Sequence, residues 1–191
     1  MTGLYASVGK RVLDAFFACL VGVLSLPAAL AAALLVRLDD GSPPLFRQRR
    51  LGRDGQEFTM LKFRSMSAGA ATVASAEAGA LPITRVGRYL RRSNVDEVPQ
   101  LWNIIRGDMS LVGPRPALPS QQQLVALRNA SGAINIRPGL TGLAQIKAYD
   151  GMSEEEKAGW DAEYAKSVSL WRDVSILLRT FLYLLKPPPR Y

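Results

Sequence analysis

The sequence predicts an α/β protein: a compact, mostly helical domain with a few short strands, attached to an N-terminal membrane helix. Three observations predict it. Residues 15–36 form a 22-residue run without a single charge. Two short strand-like runs, residues 45–50 and 57–64, flank the turn Leu51-Gly52-Arg53-Asp54-Gly55. Beyond residue 84, apolar residues recur mainly at helical spacing. The chain has 191 residues, enough for one ordinary domain with a sizeable core. No internal repeat, heptad run or second soluble domain is visible, so residues 1–40 are assigned to the membrane element and residues 41–191 to one functional unit.

Each element has its own justification. At about 1.5 Å per residue the uncharged run reaches roughly 33 Å, enough to cross a hydrocarbon core. Pro27 lies inside it, removing one backbone hydrogen bond, and the nearby Ser25 hydroxyl can satisfy a freed carbonyl. A bend there would leave two halves too short to cross singly. Basic residues stand on both sides: Lys10 and Arg11 before; Arg37, Arg47, Arg49, Arg50 and Arg53 after. Positive charge prefers the cytoplasmic side, which favours a segment that dips in and returns; Asp39 and Asp40 weaken that argument. The residues alone leave re-entry and spanning both open. The run is too long, and lacks a clear polar boundary, for a cleaved signal.

The turn Asp39-Asp40-Gly41-Ser42-Pro43-Pro44 ends the membrane element, and residues 67–80, rich in Ala, Gly, Ser and Thr, read as a loop or weak helix. Residues 84–92 read as a short basic helix. The next helix begins between Asn94 and Asp96, because Pro99 belongs in a first turn, and it ends at Gly107; Val95, Val98, Leu101, Trp102 and Ile105 face the core. A further helix spans residues 118–129. The cluster Arg137-Pro138-Gly139-Leu140-Thr141-Gly142 reads as a turn and residues 143–147 as a short strand. Ser153 and Glu156 form a capping box that opens a helix to about Val168. Residues 170–186 mix aromatics, bases and aliphatics, fitting an interfacial amphipathic helix or a buried one, and Pro187-Pro188-Pro189 stops it.

Composition narrows the chemistry. Net charge is +8 with a pI near 10, which suits nucleic acid, anionic lipid or phosphorylated ligands without choosing among them. Histidine is absent, which excludes Ser-His-Asp hydrolysis, imidazole bases and His-ligated zinc. The single cysteine, Cys19, lies in the apolar run and has no intrachain partner for a disulfide. No Gly-Lys-Ser/Thr phosphate loop or GxGxxG strand–helix unit occurs, which disfavours ATP and NAD.

The residues that carry chemistry cluster between positions 88 and 116. Acids in a helix's first turn ordinarily complement its dipole, and an isolated Asp96-Glu97 would be read that way. Here Arg88, Arg91 and Arg92 precede the pair and Arg115 follows, fixed between Pro114 and Pro116. Positive charge and a helix N-terminus should keep Asp96 ionised. An ionised carboxylate beside bound phosphate can attack phosphorus or hold Mg2+; Glu97 would tune or orient it. Arg115 suits bidentate phosphate contact. Lys62, between Leu61 and Phe63, either snorkels from the core or binds phosphate, Arg137 either meets nucleotide or braces its loop, and Asp108 forms a turn.

Taken together these segments resemble the small monotopic phosphoglycosyl transferases, the bacterial sugar transferases that begin glycan assembly on a polyprenol carrier. The resemblance runs from about Tyr5 to Lys186. It is carried by Lys10-Arg11-Val12-Leu13-Asp14, Lys62-Phe63-Arg64-Ser65-Met66, Asp96-Glu97 with Gln100-Leu101-Trp102-Asn103, Gly107-Asp108-Met109-Ser110-Leu111-Val112-Gly113-Pro114-Arg115-Pro116, and Arg137-Pro138-Gly139-Leu140-Thr141-Gly142 with Ala144-Gln145. Asp161 and Tyr164 fall where the family places such residues. The resemblance implies a re-entrant membrane helix broken at Ser25 and Pro27, interfacial helices, a catalytic domain on the cytoplasmic face of the bacterial inner membrane, and Mg2+ held at Asp96. It implies transfer of a sugar phosphate from a UDP-sugar to polyprenol phosphate with release of UMP. Asp96 would be the nucleophile, Glu97 its partner, and Lys62, Arg91, Arg115, Arg137 and Gln145 substrate ligands. Two departures stand out: Leu26 separates Ser25 from Pro27, and Leu143 stands where many members carry tryptophan. Membrane lipid is an implied partner, nucleic acid is not, and homo-oligomerisation is left open. The competing readings are a non-catalytic adaptor for anionic lipid and a membrane-tethered nucleic-acid binder; no nucleic-acid motif supports the latter.

Overall fold

The computed structural model describes residues 5–66, 83–147 and 152–184. The loop expected over residues 67–80 and the terminal prolines lie outside the described residues. A five-residue π-helical turn, Tyr5–Gly9, leads into α1, Lys10–Asp40, a 31-residue helix of about 46 Å. The helix runs on through Pro27. Proline frees the carbonyl of Val23, but the Ser25 hydroxyl donates instead to Gly22 O at 3.2 Å, so the expected repair of the freed group is not made.

The side chains of α1 are distributed the opposite way from a soluble helix. Its buried stripe is polar or small: Lys10, Asp14 and Ala18 early, Ala32 and Val36 late. Phe16, Leu20, Leu24, Leu30, Leu34 and Leu38 are exposed. Ala18 lets the helix approach Met60, Leu101, Ile104 and Met109, while Ala32 and Val36 pack on Phe63 and Leu90. Both halves of the helix therefore rest on the same domain. Its ends are also tied by polar contacts. Lys10 Nζ donates to Asp173 Oδ2 at 2.6 Å, and the Asp14 carboxylate accepts from Ser110 Oγ at 2.7 Å and Leu111 N at 3.1 Å. The Arg11 guanidinium donates to Ile104 O and Ile105 O at 2.5 Å each. At the far end Asp39 Oδ2 accepts from Val86 N at 3.3 Å.

The domain itself is mostly helical with four short strands among the described residues. β1, Leu45–Leu51, and β2, Glu57–Phe63, form the two strands the sequence predicts, paired antiparallel in the register Leu45 to Phe63. Asp54 and Gly55 take left-handed φ in the turn. α2, Arg85–Ser93, is capped by Thr84, whose hydroxyl accepts from Gly87 N at 2.9 Å. A 3-10 turn, Val95–Glu97, and α3, Gln100–Arg106, follow. The expected single helix from residues 94–96 is thus two pieces, and α3 ends at Gly107 with φ 99. The 3-10 period explains a misplaced core residue. With three residues per turn, Val95, Val98, Leu101 and Ile104 share the inner face, and Trp102 is exposed.

α4, Gln122–Ser131, starts four residues later than expected; α6, Glu154–Lys166, carries the expected capping box, and α7, Leu170–Leu184, is buried at Asp173 and Ile176 but exposes Trp171, Leu178, Phe181 and Leu182. Two assignments are corrected. The expected turn at 137–142 contains β4, Gly139–Thr141, parallel to β3, Ser110–Val112. The expected strand over 143–147 is α5, Leu143–Lys147, whose Leu143 and Ile146 pack at helical spacing on Val112, Tyr164 and Ile176.

β3 and β4 approach so closely that no side chain fits between them. A Cβ on Gly139 would sit 2.1 Å from Gly113 N and 2.3 Å from Thr141 O. Gly139→Ala is therefore expected to destabilise the domain strongly, with a lowered midpoint in thermal denaturation, whereas Gly159→Ala, where nothing lies within 4 Å, should leave the midpoint unchanged or raised.

Candidate active site

Four elements bring the charged residues together. The 3-10 turn carries Asp96 and Glu97 between Asn94, whose left-handed φ of 55° turns the chain out of α2, and Pro99. Lys62 comes from β2, Arg91 from the last turn of α2, and Arg115 from the loop after β3. Lys62 Nζ donates to Glu97 Oε1 at 2.8 Å, and Arg115 Nη2 lies 3.7 Å from the same oxygen. Arg91 Nε donates to Ser65 Oγ at 2.8 Å.

The two acids sit in different environments. Asp96 is 7% exposed, and its buried Oδ1 has no hydrogen-bond partner. Burial raises its pKa from 3.8 to about 6; Lys62 and Arg91 pull the other way without prevailing, and Glu97 adds to the rise. The expectation that surrounding cations dominate is therefore corrected: desolvation outweighs them. Ionisation at neutral pH survives, since about 6 is still below 7. Burial pushes Glu97 up too, but Lys62 and Arg115 outweigh it and hold its carboxyl below the usual range. Glu97 is thus the fixed counter-charge of the cations, and Asp96 the carboxylate with a spare oxygen.

Two residues that sequence reasoning missed hold this arrangement. Asn103, 1% exposed, accepts from Leu61 N at 3.0 Å and donates to Thr59 O at 2.8 Å. Its amide replaces a neighbouring strand for β2 and so sets Lys62 against Glu97. Arg50, also buried, donates to Gln48 Oε1 and to Pro116 O at 3.0 Å, and burial with the nearby Arg115 lowers its pKa to about 10. A polar side chain on an apolar helix face was the available signal for Asn103. Arg50 had none beyond membership of a basic run.

Arg137 and Gln145 lie elsewhere. Arg137 Nε donates to Gly107 O at 3.0 Å, and the charges around it are Arg53, Arg11, Asp14 and Asp54. Gln145 Nε2 donates to Leu140 O at 3.2 Å. Asp108 accepts from Asn103 and Arg106, as a turn residue should. Among the described residues no group of three or more His, Cys, Asp or Glu converges. A metal here would have the protein supply little beyond Asp96 Oδ1, with water and substrate oxygens completing the shell, an arrangement Mg2+ tolerates.

A buried carboxylate among basic side chains, beside an apolar helix, suits phosphoryl chemistry, and sequence comparison gives the family. The bacterial sugar transferase family profile matches residues 5–187, and the chain belongs to that family. It is 42% identical to a UDP-glucose:undecaprenyl-phosphate glucose-1-phosphate transferase of Caulobacter vibrioides, over 95% of this chain and 72% of that protein. It is 36% identical to a UDP-galactose-lipid carrier transferase of Erwinia amylovora, over 95% of this chain but 41% of that protein. A UDP-N-acetylgalactosamine-undecaprenyl-phosphate N-acetylgalactosaminephosphotransferase of Aeromonas hydrophila is 35% identical, over 93% of this chain and 43% of its own length. The chain thus spans under half the length of the latter two.

The raised pKa of Asp96 has a measurable consequence for stability. Its folded value, about 6, exceeds the ordinary 3.8, so the folded state prefers the protonated form. Stability from this group is fully present below the unfolded value and is lost as pH rises through about 6, by about 3 kcal/mol at neutral pH. Asp96→Asn is therefore expected to raise the thermal midpoint at neutral pH in metal-free buffer, with the gain vanishing below about pH 4.

Proposed function

We propose that the chain transfers a sugar 1-phosphate from a UDP-sugar to membrane polyprenol phosphate, giving a polyprenyl diphosphate sugar and UMP. The observation that carries this reading is the unpartnered oxygen of buried Asp96, within electrostatic reach of Lys62 and Arg91. The relatives' names, which pair UDP-sugars with undecaprenyl phosphate, support the substrate classes. Donor diphosphate and acceptor phosphate are both anions, and a carboxylate nucleophile divides their encounter into two steps. The Asp96 carboxylate attacks the phosphorus bearing the sugar; the bond to the UMP oxygen breaks, and UMP leaves. An oxygen of polyprenol phosphate then attacks the aspartyl phosphosugar, and the carboxylate is released.

Lys62, Arg91 and Arg115 would contact the phosphoryl oxygens in both steps. Asp96 would hold Mg2+, which would supply further charge neutralisation. Glu97 orients Lys62 and Arg115 by pairing with both. Arg137 and Gln145, outside this cluster, would serve the more distant parts of the substrates. The exposed aliphatics of α1 and the outer face of α7 support a site at the membrane surface, where a polyprenol headgroup lies. Docking of both halves of α1 on one domain supports re-entry, with the domain on the cytoplasmic face of the bacterial inner membrane, at the first membrane step of glycan assembly.

Incubation with a panel of UDP-sugars and polyprenol phosphate should release UMP in a Mg2+-dependent reaction, and Asp96→Asn should abolish it. Mass spectrometry of enzyme trapped with donor should find the sugar phosphate on Asp96. Release of UMP without that adduct, or full activity of the Asn variant, would rule out the covalent route; no release with any donor would favour a lipid-binding adaptor. For topology, Gly3→Cys in a Cys19→Ala background should be shielded from an impermeant thiol reagent added outside the cell. Labelling there would establish a spanning helix.

A further inference from the structure

The loop bearing Arg115 is held in an unusual way. Pro114 and Pro116 have no N–H to donate, so the loop there depends mainly on its carbonyls for anchoring. Four consecutive carbonyls are taken by three elements, β4, α4 and β1. Gly139 N donates to Pro114 O at 2.8 Å, Arg128 Nη1 to Arg115 O at 2.9 Å, Arg50 Nη1 to Pro116 O at 3.0 Å, and Leu51 N to Ala117 O at 2.9 Å. The Arg115 guanidinium itself is half exposed and, among the described residues, its ion pair is with Glu97, at 3.7 Å. That single long contact leaves much of its direction to its backbone.

Arg128 is the one of these four donors whose own placement requires a dedicated partner on another helix. It lies on α4 at 5% exposure, and its Nε and Nη2 both donate to Asp161 Oδ2 on α6, at 2.9 and 2.6 Å; Asp161 is 1% exposed. The planar fork thus spends one edge on the carboxylate and one nitrogen on Arg115 O. A lysine could keep the ion pair but has a single nitrogen and cannot span both. Neither Arg128 nor Asp161 touches Asp96, Glu97 or Lys62, so a solvated substrate has no direct use for them.

We propose that Arg128, fixed by Asp161, is a positioning residue that aims the Arg115 guanidinium at the substrate phosphate. The inference rests on the role given to Arg115 in the proposed reaction. The test is a cycle of Arg128→Lys, Arg115→Ala and the double variant, assayed for UMP release, with hydrogen exchange of the segment around residues 111–121 measured on wild type and Arg128→Lys. Arg128→Lys should lower kcat by about tenfold to a hundredfold, should add little to the loss in the Arg115→Ala background, and should speed exchange in that segment while α2 and α3 keep wild-type rates. An equal loss in both backgrounds would overturn the proposal, because Arg128 would then merely support the fold. So would wild-type turnover of Arg128→Lys, or unchanged exchange in the segment, the latter irrespective of activity. Full activity of Arg115→Ala would instead remove Arg115 from the proposed reaction and this inference with it; failure of wild type to release UMP from any donor would sink the reaction, while the exchange measurement still judged the clamp.

Discussion

The arrangement depends on one constraint: a carboxylate must be kept out of water and yet remain charged. Asp96 is buried with an oxygen that none of the described residues satisfies. Such a group is unfavourable to hold, since desolvation alone would neutralise it. Lys62 and Arg91 offset enough of that penalty to leave it ionised at neutral pH. The cations in turn need their own restraint, or they would collapse onto the nearest acid. Glu97 supplies it by binding Lys62 and drawing in Arg115, and Ser65 restrains Arg91. The second acid of the pair is thus occupied so that the first can be free.

The same logic extends outward through polar contacts that serve backbone rather than charge. Asn103 binds two main-chain groups of β2 and so fixes the register of the strand that carries Lys62. Asp14 binds the start of β3, from which the Arg115 loop departs. Arg11 binds the last carbonyls of α3, the helix that follows the acidic pair. These three contacts attach the apolar helix and the site to one framework. Displacement of α1 would therefore reach Arg115 through β3 and the acidic turn through α3, without passing through any residue that touches substrate.

Much of this was legible in the chain, and what was not had local causes. The β1–β2 hairpin, the Thr84-capped basic helix, the Gly107 stop and the capping box at Ser153 were all readable because each has its own turn or cap chemistry. The parallel β3–β4 pair was not, because three-residue strands carry no alternation and their pairing is enforced by glycine backbones rather than side chains. Trp102 was assigned to the core from a 3.6-residue period that the 3-10 turn does not keep. Of the site, Asp96, Glu97, Lys62, Arg91 and Arg115 were identified from charge and motif and do converge. Asn103, Arg50 and Arg128 act through backbone; Asn103 stood out only as a polar residue on an apolar helix face, and for Arg50 and Arg128 a backbone partner leaves no mark on sequence.

Lys10 and Arg11 show how a charge pattern can read as one role and serve another. As a basic flank before an apolar run they read as a topological signal for the inner face of a membrane. Folded, Lys10 is buried between Asp173 and Asp14, and Arg11 is committed to the α3 carbonyls. Neither charge is free to face a lipid headgroup. What these residues do instead is more restrictive: they fasten the start of α1 to the domain that Asp39, Ala32 and Val36 hold at its other end. A helix attached along one face at both ends has its orientation decided by packing, and its exposed leucines follow from that packing. The flanking positive charge that remains available to a membrane surface is then on the β1 side, at Arg47 and Arg49, where Arg49 engages only the exposed Glu57.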